Sequence, residues 1–374
     1  MLWYCFSGRP LANYTDEGGV NLAKLDSYIA KNVLGATFGV LLVLVGLDAL
    51  SALIDEAGDI TATYQFADVL KYVALTLPHR THEFVPFAAL IGTLVGLGRL
   101  ASASELVIVR AAGVSLPQLA VIVLKPALFF ALFGFAIGEY VTPVTQQMAV
   151  SEQALAQRSD SNFAGRGGTW NRDANTYIHV AAVQRGGLIF GVTLLTFDDQ
   201  RRLVESLRAE RGTFVRDHWL LENVERSRIS DAEVTVENET IWPWKTGITP
   251  DLLVLDVVKP DSLPVQQLWP YANFLKAQGL TSADIELAFW RKLLQPLAVG
   301  GLVLVAMSFI FGPLREGNMG ARIMAGVLVG VVFRISQDFF GPFSLLINLP
   351  ALLAALMPIA VCWLAGGWLL LRKT

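Results

Sequence analysis

Six apolar stretches limit what this 374-residue chain can fold into. A helix needs about 20 apolar residues to cross the ~30 Å hydrocarbon layer of a membrane. The stretches lie at residues 33–54, 84–98, 119–141, 293–311, 323–340 and 350–371. The second is short, so we expect it to include turns from the polar residues 77–83. Charged residues make up only 16% of the chain, against about 25% in soluble domains. The sequence therefore predicts an α-helical membrane protein with six spans.

A polar region at residues 144–285 separates the first three stretches from the last three. It holds 32 of the 61 charged side chains of the chain. Short runs rich in Val, Thr and Trp recur there about every ten residues, which predicts a sandwich, jelly roll or open barrel. A helical pattern follows at residues 264–279. The sheet could accept a strand from a partner or shelter an apolar ligand, and the alternation of residues leaves both interpretations open.

Lysine and arginine are distributed unevenly around the apolar stretches, and cytoplasmic loops of membrane proteins carry the excess. With both termini inside, the cytoplasmic pieces contain Arg9, Lys24, Lys31, Arg99, Arg110, Arg315, Arg322, Arg372 and Lys373. The opposite segment at 55–80 is mostly acidic. This topology predicts a cytoplasmic segment 1–32, spans within 33–143 and 286–374, and a middle domain 144–285 outside the cytoplasm. The formal net charge of −3 gives no support for nucleic-acid binding.

A short amphipathic helix is predicted at residues 102–113, between the second and third spans. Ser102 and Glu105 fit a capping box and Gly113 fits a glycine stop. The apolar face and its charged border consist of Leu106, Val109 and Ala112, and of Glu105 and Arg110. Such a helix docks into a groove on a soluble partner, or lies at the lipid headgroups anchored by Arg99 and Arg110.

Charged residues inside the apolar stretches are candidate functional residues, because an ionisable group in a membrane is costly. Arg334 and Asp338 stand four apart, so they share a helix face and can pair. They form either a functional pair within the membrane or a structural pair in which Asp338 is solvated near the outer end. For the same reason Asp48 is expected to face a cavity or a neighbouring helix.

Catalytic and metal-binding motifs do not stand out in the sequence. His79, His82 and Glu83 lack the H-E-x-x-H order of zinc hydrolases, and we interpret them as a polar cap at the outer membrane surface. The spans carry no paired Asp or Ser–His arrangement, which disfavours an intramembrane hydrolase. The chain has no G-x-x-x-x-G-K-[ST] phosphate loop, so any ATP must be bound by a partner.

Several separate segments resemble the lipopolysaccharide export permease family (LptF/LptG), from about residue 25 to the C-terminus. They are S-E-L-V-I-V-R-A-A-G at 104–113, G-E-Y-V-x-P at 138–143 and S-F-I-F-G-P-L-R at 308–315. The last run, with M-G-x-R at 319–322 and F-G-P at 340–342, resembles the LptG branch rather than the LptF branch. The alternatives are an LptF-like subunit of the same complex and a membrane scaffold whose β-domain binds periplasmic protein without moving lipid.

The resemblance implies a 3+3 helical membrane subunit with an inserted periplasmic all-β jellyroll-like domain. Family members pair as LptF and LptG in the bacterial inner membrane, on an LptB ATPase dimer and beside the single-span protein LptC. The complex moves lipopolysaccharide to a periplasmic bridge, with ATP and Mg²⁺ bound by the ATPase and no cofactor on this chain. The ATPase-coupling helix corresponds here to Glu105, Leu106, Val109, Arg110 and Gly113.

The resemblance also makes the first and fifth spans lateral gates, with Asp48, Arg334 and Asp338 as substrate or gate candidates. Some family members carry basic residues near the outer end of the first span, suited to lipid A phosphates. This chain has only Asp48, Asp55 and Glu56 between residues 47 and 58. Lys71, Arg80 or the partner subunit would then supply the positive charge.

Overall fold

The computed structural model describes most of the chain, with gaps between ranges. The described residues are 22–60, 64–156, 169–173, 175–184, 187–230, 233–247, 250, 260–277, 281–312, 318–346 and 349–372. Most of the predicted cytoplasmic segment, residues 1–21, lies outside them. Residues 313–315 of the LptG-like run also lie outside the described ranges.

Helices dominate the described part of the chain, where six are long and apolar enough to cross a membrane. In chain order the helices are α1 (Leu22–Ala57), α2 (Phe66–Ser102), α3 (Glu105–Ala111), α4 (Leu116–Ala136), α5 (Thr142–Ala156), α6 (Val265–Ala277), α7 (Ala283–Ile310), α8 (Met319–Leu346) and α9 (Ala351–Leu371). A π-helical turn, Ile137–Val141, joins α4 to α5, so the third span continues as one helical path. The other spans are α1, α2, α7, α8 and α9, and the six-span prediction is confirmed.

The spanning helices extend well beyond the apolar stretches that predict them. Helix α1 begins at residue 22 rather than 33, and its 36 residues make it about 54 Å long. Helix α2 begins at residue 66 rather than 84 and includes the polar residues 77–83, as expected. Hydropathy marks only the part in hydrocarbon, whereas backbone hydrogen bonding continues the helix into the polar layers on either side.

Helices α2 and α7 form the centre of the bundle, and α1 and α8 lie at its surface. In the most apolar window of each span, 72% of residues are buried in α2 and 67% in α7, against 17% in α1 and 22% in α8. Small residues permit close approach at two crossings. A Cβ at Gly92 would overlap the backbone of Thr37, and one at Gly366 would lie 2.9 Å from the Val305 nitrogen.

The inserted all-β domain is confirmed and consists of one antiparallel sheet. Its strands are β1 (Thr169–Asp173), β2 (Thr176–Gln184), β3 (Leu188–Phe197), β4 (Leu203–Val215), β5 (His218–Ile229) and β6 (Val234–Trp244). They pair in sequence order, so the described strands form an open meander with no Greek-key crossover. Trp219 on β5 stands opposite Trp244 on β6, and both are buried in the apolar cluster on one face. The sheet starts later than the predicted boundary at 144, because α5 continues the third span to Ala156.

Candidate functional site

Helix α3 lies directly after α2, with a two-residue turn between them. Ser104 in this turn has φ 61°, and Gly113 after the helix has φ 91°, a conformation that favours glycine. The predicted glycine stop is therefore confirmed, and the predicted capping box is wrong. Ser102 is the last residue of α2, and its hydroxyl donates to the Gly98 carbonyl at 2.9 Å. Helix α2 therefore continues to Ser102, the residue that the capping-box pattern assigns to the start of the next helix.

The two faces of α3 have different surroundings. Leu106 is only 3% exposed and belongs to the core of the bundle, and Val109 is half-buried. Val107 and Ile108 point outward with 54% and 67% of their surface exposed. Leu106 therefore anchors α3 to the bundle. The sequence pattern did not predict the outward apolar pair, Val107 and Ile108. Four consecutive apolar residues cover the helix on both sides, so periodicity cannot select the outer face.

Polar contacts connect α3 and the end of α2 to the beginning of α1. The Tyr28 hydroxyl lies beside the Glu105 carboxylate. The Arg99 guanidinium donates to the side-chain oxygen of Asn32. The predicted coupling residue Glu105 is thus held at the end of the bundle where α1 starts and α2 finishes.

The opposite end of the bundle carries the connection to the sheet. Lys71, near the start of α2, forms an ion pair with Glu152 of α5 at 2.7 Å. Glu56, at the end of α1, accepts hydrogen bonds from Tyr64 at 2.9 Å and from Gln153. The chain enters the sheet after α5, so α3 and the sheet lie at opposite ends. The substrate candidate Lys71 is engaged by a carboxylate there.

The structure brings two of the substrate candidates together between α1 and α2. The Arg80 guanidinium forms an ion pair with the Asp48 carboxylate, and its Nε donates to the Thr76 hydroxyl at 3.2 Å. Asp48 therefore faces a neighbouring helix. This is one of the two positions, a cavity or a neighbouring helix, expected from the free-energy cost of a charge in the membrane. The charge of Arg80 is balanced within the chain.

A second polar group surrounds Arg334 on α8. Its Nε lies 3.0 Å from Asp338, as the four-residue spacing predicts, and its Nη1 lies 3.5 Å from Glu83 of α2. These side chains line a cavity of about 120 Å³ between α2, α7 and α8. Gln295 of α7 also lines it, and its side-chain oxygen is buried without a hydrogen-bond partner among the described residues. The cavity thus combines charged groups with an unused acceptor.

A buried ion pair joins the third and fourth spans to residues 263–265 at the start of α6. Lys292 Nζ lies 3.6 Å from the Glu139 carboxylate, and the two side chains are 3% and 7% exposed. Nζ also donates to the carbonyls of Gly138 and Leu263 at 2.7 Å each. The Val265 N–H, at the start of α6, donates to Glu139 at 2.9 Å.

Sequence reasoning noted Glu139 only within the 138–143 run and missed Lys292. The usable signal was a lysine beside an apolar span with a glutamate at the end of another span. The interpretation of His82 as a surface cap is also wrong. His82 is buried, and its Nδ1 lies 2.8 Å from the Gly134 carbonyl, because a Cβ is missing at Gly138 where the imidazole packs.

The sheet has an aromatic hollow near the turn between β3 and β4. Its volume is about 450 Å³, and its lining includes Trp170, Tyr177 and Phe197 beside Asp198. The Arg202 N–H donates to Asp198 at 2.8 Å and lowers the pKa of that carboxyl below its usual value. The Arg202 guanidinium at 2.9 Å acts in the same direction. The turn is therefore fixed by an ionised carboxylate at neutral pH.

Two groups of three spanning helices, an inserted sheet and a short exposed helix after the second span define a membrane permease subunit. The chain belongs to the family described as lipopolysaccharide export system permease LptF/LptG, whose model matches residues 27–372.

Two similar proteins are both lipopolysaccharide export system permease proteins LptG. The one from Haemophilus influenzae is 36% identical over 352 residues, 93% of this chain and 98% of that protein. The one from Escherichia coli K12 is 35% identical over 356 residues, 94% of this chain and 98% of that protein. The resemblance to the LptG branch is confirmed. The predicted export-permease function fits these similarities better than the LptF-like or scaffold alternative, and the chain is a multi-pass inner-membrane protein.

Proposed function

We propose that this chain is the LptG-type subunit of an ATP-driven transporter that extracts lipopolysaccharide from the inner membrane. A separate LptB-like ATPase dimer binds ATP and Mg²⁺, and this chain binds no cofactor and hydrolyses nothing itself. An LptF-like subunit completes the membrane part, and an LptC-like protein receives the lipid. The observation that carries the proposal is the outward apolar face of α3.

The proposed contact between α3 and the ATPase rests on the exposed side chains of Val107 and Ile108. They form an apolar knob that fits a groove on a soluble partner, with Glu105 and Arg110 beside it. A helix lying on lipid headgroups favours a strongly basic polar face, whereas this one carries one acid and one base. Docking to a partner therefore explains α3 better than the headgroup alternative.

The proposed orientation places α3 and both termini in the cytoplasm and the sheet in the periplasm. Arg99 and Arg110 lie at the α3 end of the bundle, and excess basic residues favour the cytoplasmic side. The end next to the sheet is marked by Glu56 and Glu152, each of them engaged by a neighbouring side chain. Work done at the α3 end would then move lipid toward the sheet.

The proposed lipid path follows the outer surfaces of α1 and α8. Removing a lipid from the membrane costs about 0.8 kcal/mol of free energy per buried CH₂ group. The acyl chains therefore need an apolar surface to receive them. Exposed apolar side chains on these two helices include Phe38, Leu42, Leu47, Leu328, Val332 and Phe339. The Arg334–Asp338–Glu83 group and the Asp48–Arg80 pair are the proposed contacts for the polar part of the lipid. Lys71 is a further candidate if its pair with Glu152 opens.

Replacing one residue of the apolar knob tests the proposal. Ile108→Asp should remove the ATPase from the copurified complex and abolish ATP-dependent release of lipopolysaccharide from proteoliposomes. Burying a carboxylate in an apolar groove is strongly unfavourable. Because Ile108 is exposed in this chain, the substitution should leave its fold intact. Thr235→Asp, which adds the same carboxylate at an exposed site on β6, is the matched control and should retain both properties. Full ATPase association and unchanged release in Ile108→Asp would contradict the proposal and favour a scaffold.

A further inference from the structure

We propose that Arg322 is a positioning residue that ties the start of α8 to the last turn of α2, directly before α3, so that movement of α3 and the end of α2 displaces α8. The inference rests on the proposed function, because it assigns the route by which the ATPase acts on a membrane helix. Arg322 lies in the first turn of α8, 220 residues along the chain from Ser102.

The Arg322 side chain is enclosed by the end of α2. It is 1% exposed, and Nη1 donates to the Gly98 carbonyl and, at 2.8 Å, to the Ser102 hydroxyl. Gly98 makes room for it, since a Cβ there would lie 2.8 Å from Arg322 Cδ. The contact is therefore closely packed: the guanidinium occupies the space left by the absent side chain of Gly98 and hydrogen-bonds the Ser102 hydroxyl.

Electrostatics favour this contact over the alternatives open to Arg322. A cation at the N-terminal turn of its own helix is opposed by the helix dipole, whereas the C-terminal end of α2 attracts it. Removing a guanidinium from water is costly unless it is hydrogen-bonded. Separation of α8 from α2 at this end would leave that charge without the Gly98 and Ser102 acceptors.

Helix α8 is a span that such a tie can control. Only 22% of its apolar window is buried, against 72% in α2, so most of the surface of that window makes no contact within the described chain. The end of α2 and the start of α3 also approach α1, since Arg99 donates to Asn32 and Glu105 lies beside Tyr28. The junction of α2 and α3, from Gly98 to Glu105, thus approaches the two least buried spans, and a shift of this junction reaches both.

The test uses the complete transporter in nanodiscs, with the ATPase, the second permease subunit and fluorescent lipopolysaccharide. Arg322→Gln removes the charge, and Gly98→Ala keeps the charge but displaces the side chain. Each should lower the lipid released per ATP hydrolysed at least about fivefold, the lower range of coupling effects, with ATPase association retained. Arg322→Lys keeps a donor and should recover part of the ratio. Arg372→Gln, at the end of α9, is the control for loss of a basic residue.

A spin-label distance gives a readout that is independent of transport. Labels at Ala111 and Met324, both exposed, in a chain with Cys5 and Cys362 replaced by Ser, should keep one narrow distance with and without trapped nucleotide. In Arg322→Gln the distribution should broaden or shift between the two states. An unchanged distribution together with a wild-type ratio overturns the inference. If the wild-type complex releases no lipid, the proposed function is contradicted instead. The spin-label distances alone then test whether Arg322 ties α8 to the end of α2.

Discussion

Single residues decide how the spans are locked to the sheet domain, and Lys292 is the clearest case. Its ammonium meets one carboxylate and two backbone carbonyls from two other parts of the chain, residues 138–139 and residue 263. A buried ion pair contributes little net stability, but removing one partner leaves the other charge buried and uncompensated. The pair therefore specifies how α7, the π-helical turn and α6 meet.

Lys292→Met should lower the free energy of unfolding by about 3 kcal/mol, because Glu139 is then buried without its cation. The double variant Lys292→Met with Glu139→Gln should recover most of the loss, since no unpaired charge remains. Thermal unfolding of the purified chain in detergent, compared across the two single variants and the double variant, measures both effects. Additive losses in the double variant would show that the two side chains do not interact.

The secondary-structure elements pack through close contacts that glycine permits, as at the crossing of α1 and α2. Gly92→Ala should cost about 1–3 kcal/mol, the usual range for overpacking, because the added methyl group meets the backbone of Thr37. Gly39→Ala on α1 is the matched control, because no atom lies within 4 Å of the added carbon. It should not lower the free energy of unfolding. Equal melting temperatures for the two variants in detergent would show that the crossing tolerates the methyl group.

Sequence patterns predicted the helices and strands better than the side-chain contacts between them. Hydropathy located all six spans and alternation located the sheet, because both are set by the local environment of a helix or strand. The side-chain partners of Arg80, Lys292 and Arg322 come from distant parts of the chain, and local patterns carry no record of them. The outward residues of α3 were missed for a different reason, since its apolar run from 106 to 109 covers the whole circumference.

At the scale of the whole molecule, the proposed ATPase contact and the sheet lie at opposite ends of one helical bundle. Helices α2 and α7 form its buried centre, with α1 and α8 at the surface. The Lys292–Glu139 pair holds the start of α6 to the third and fourth spans, and Arg322 holds the start of α8 to the end of α2.

This arrangement requires that α3 and the sheet face different compartments. In a chain with Cys5 and Cys362 replaced by Ser, a cysteine at Thr235 on β6 should react with a membrane-impermeant maleimide in intact spheroplasts. A cysteine at Ala111 should react only after the membrane is broken, because excess basic residues keep the α3 end inside. Both positions are exposed, so burial does not limit the reaction. Labelling of both from outside, or the reverse pattern, would contradict the orientation and, with it, the route proposed from ATPase to lipid.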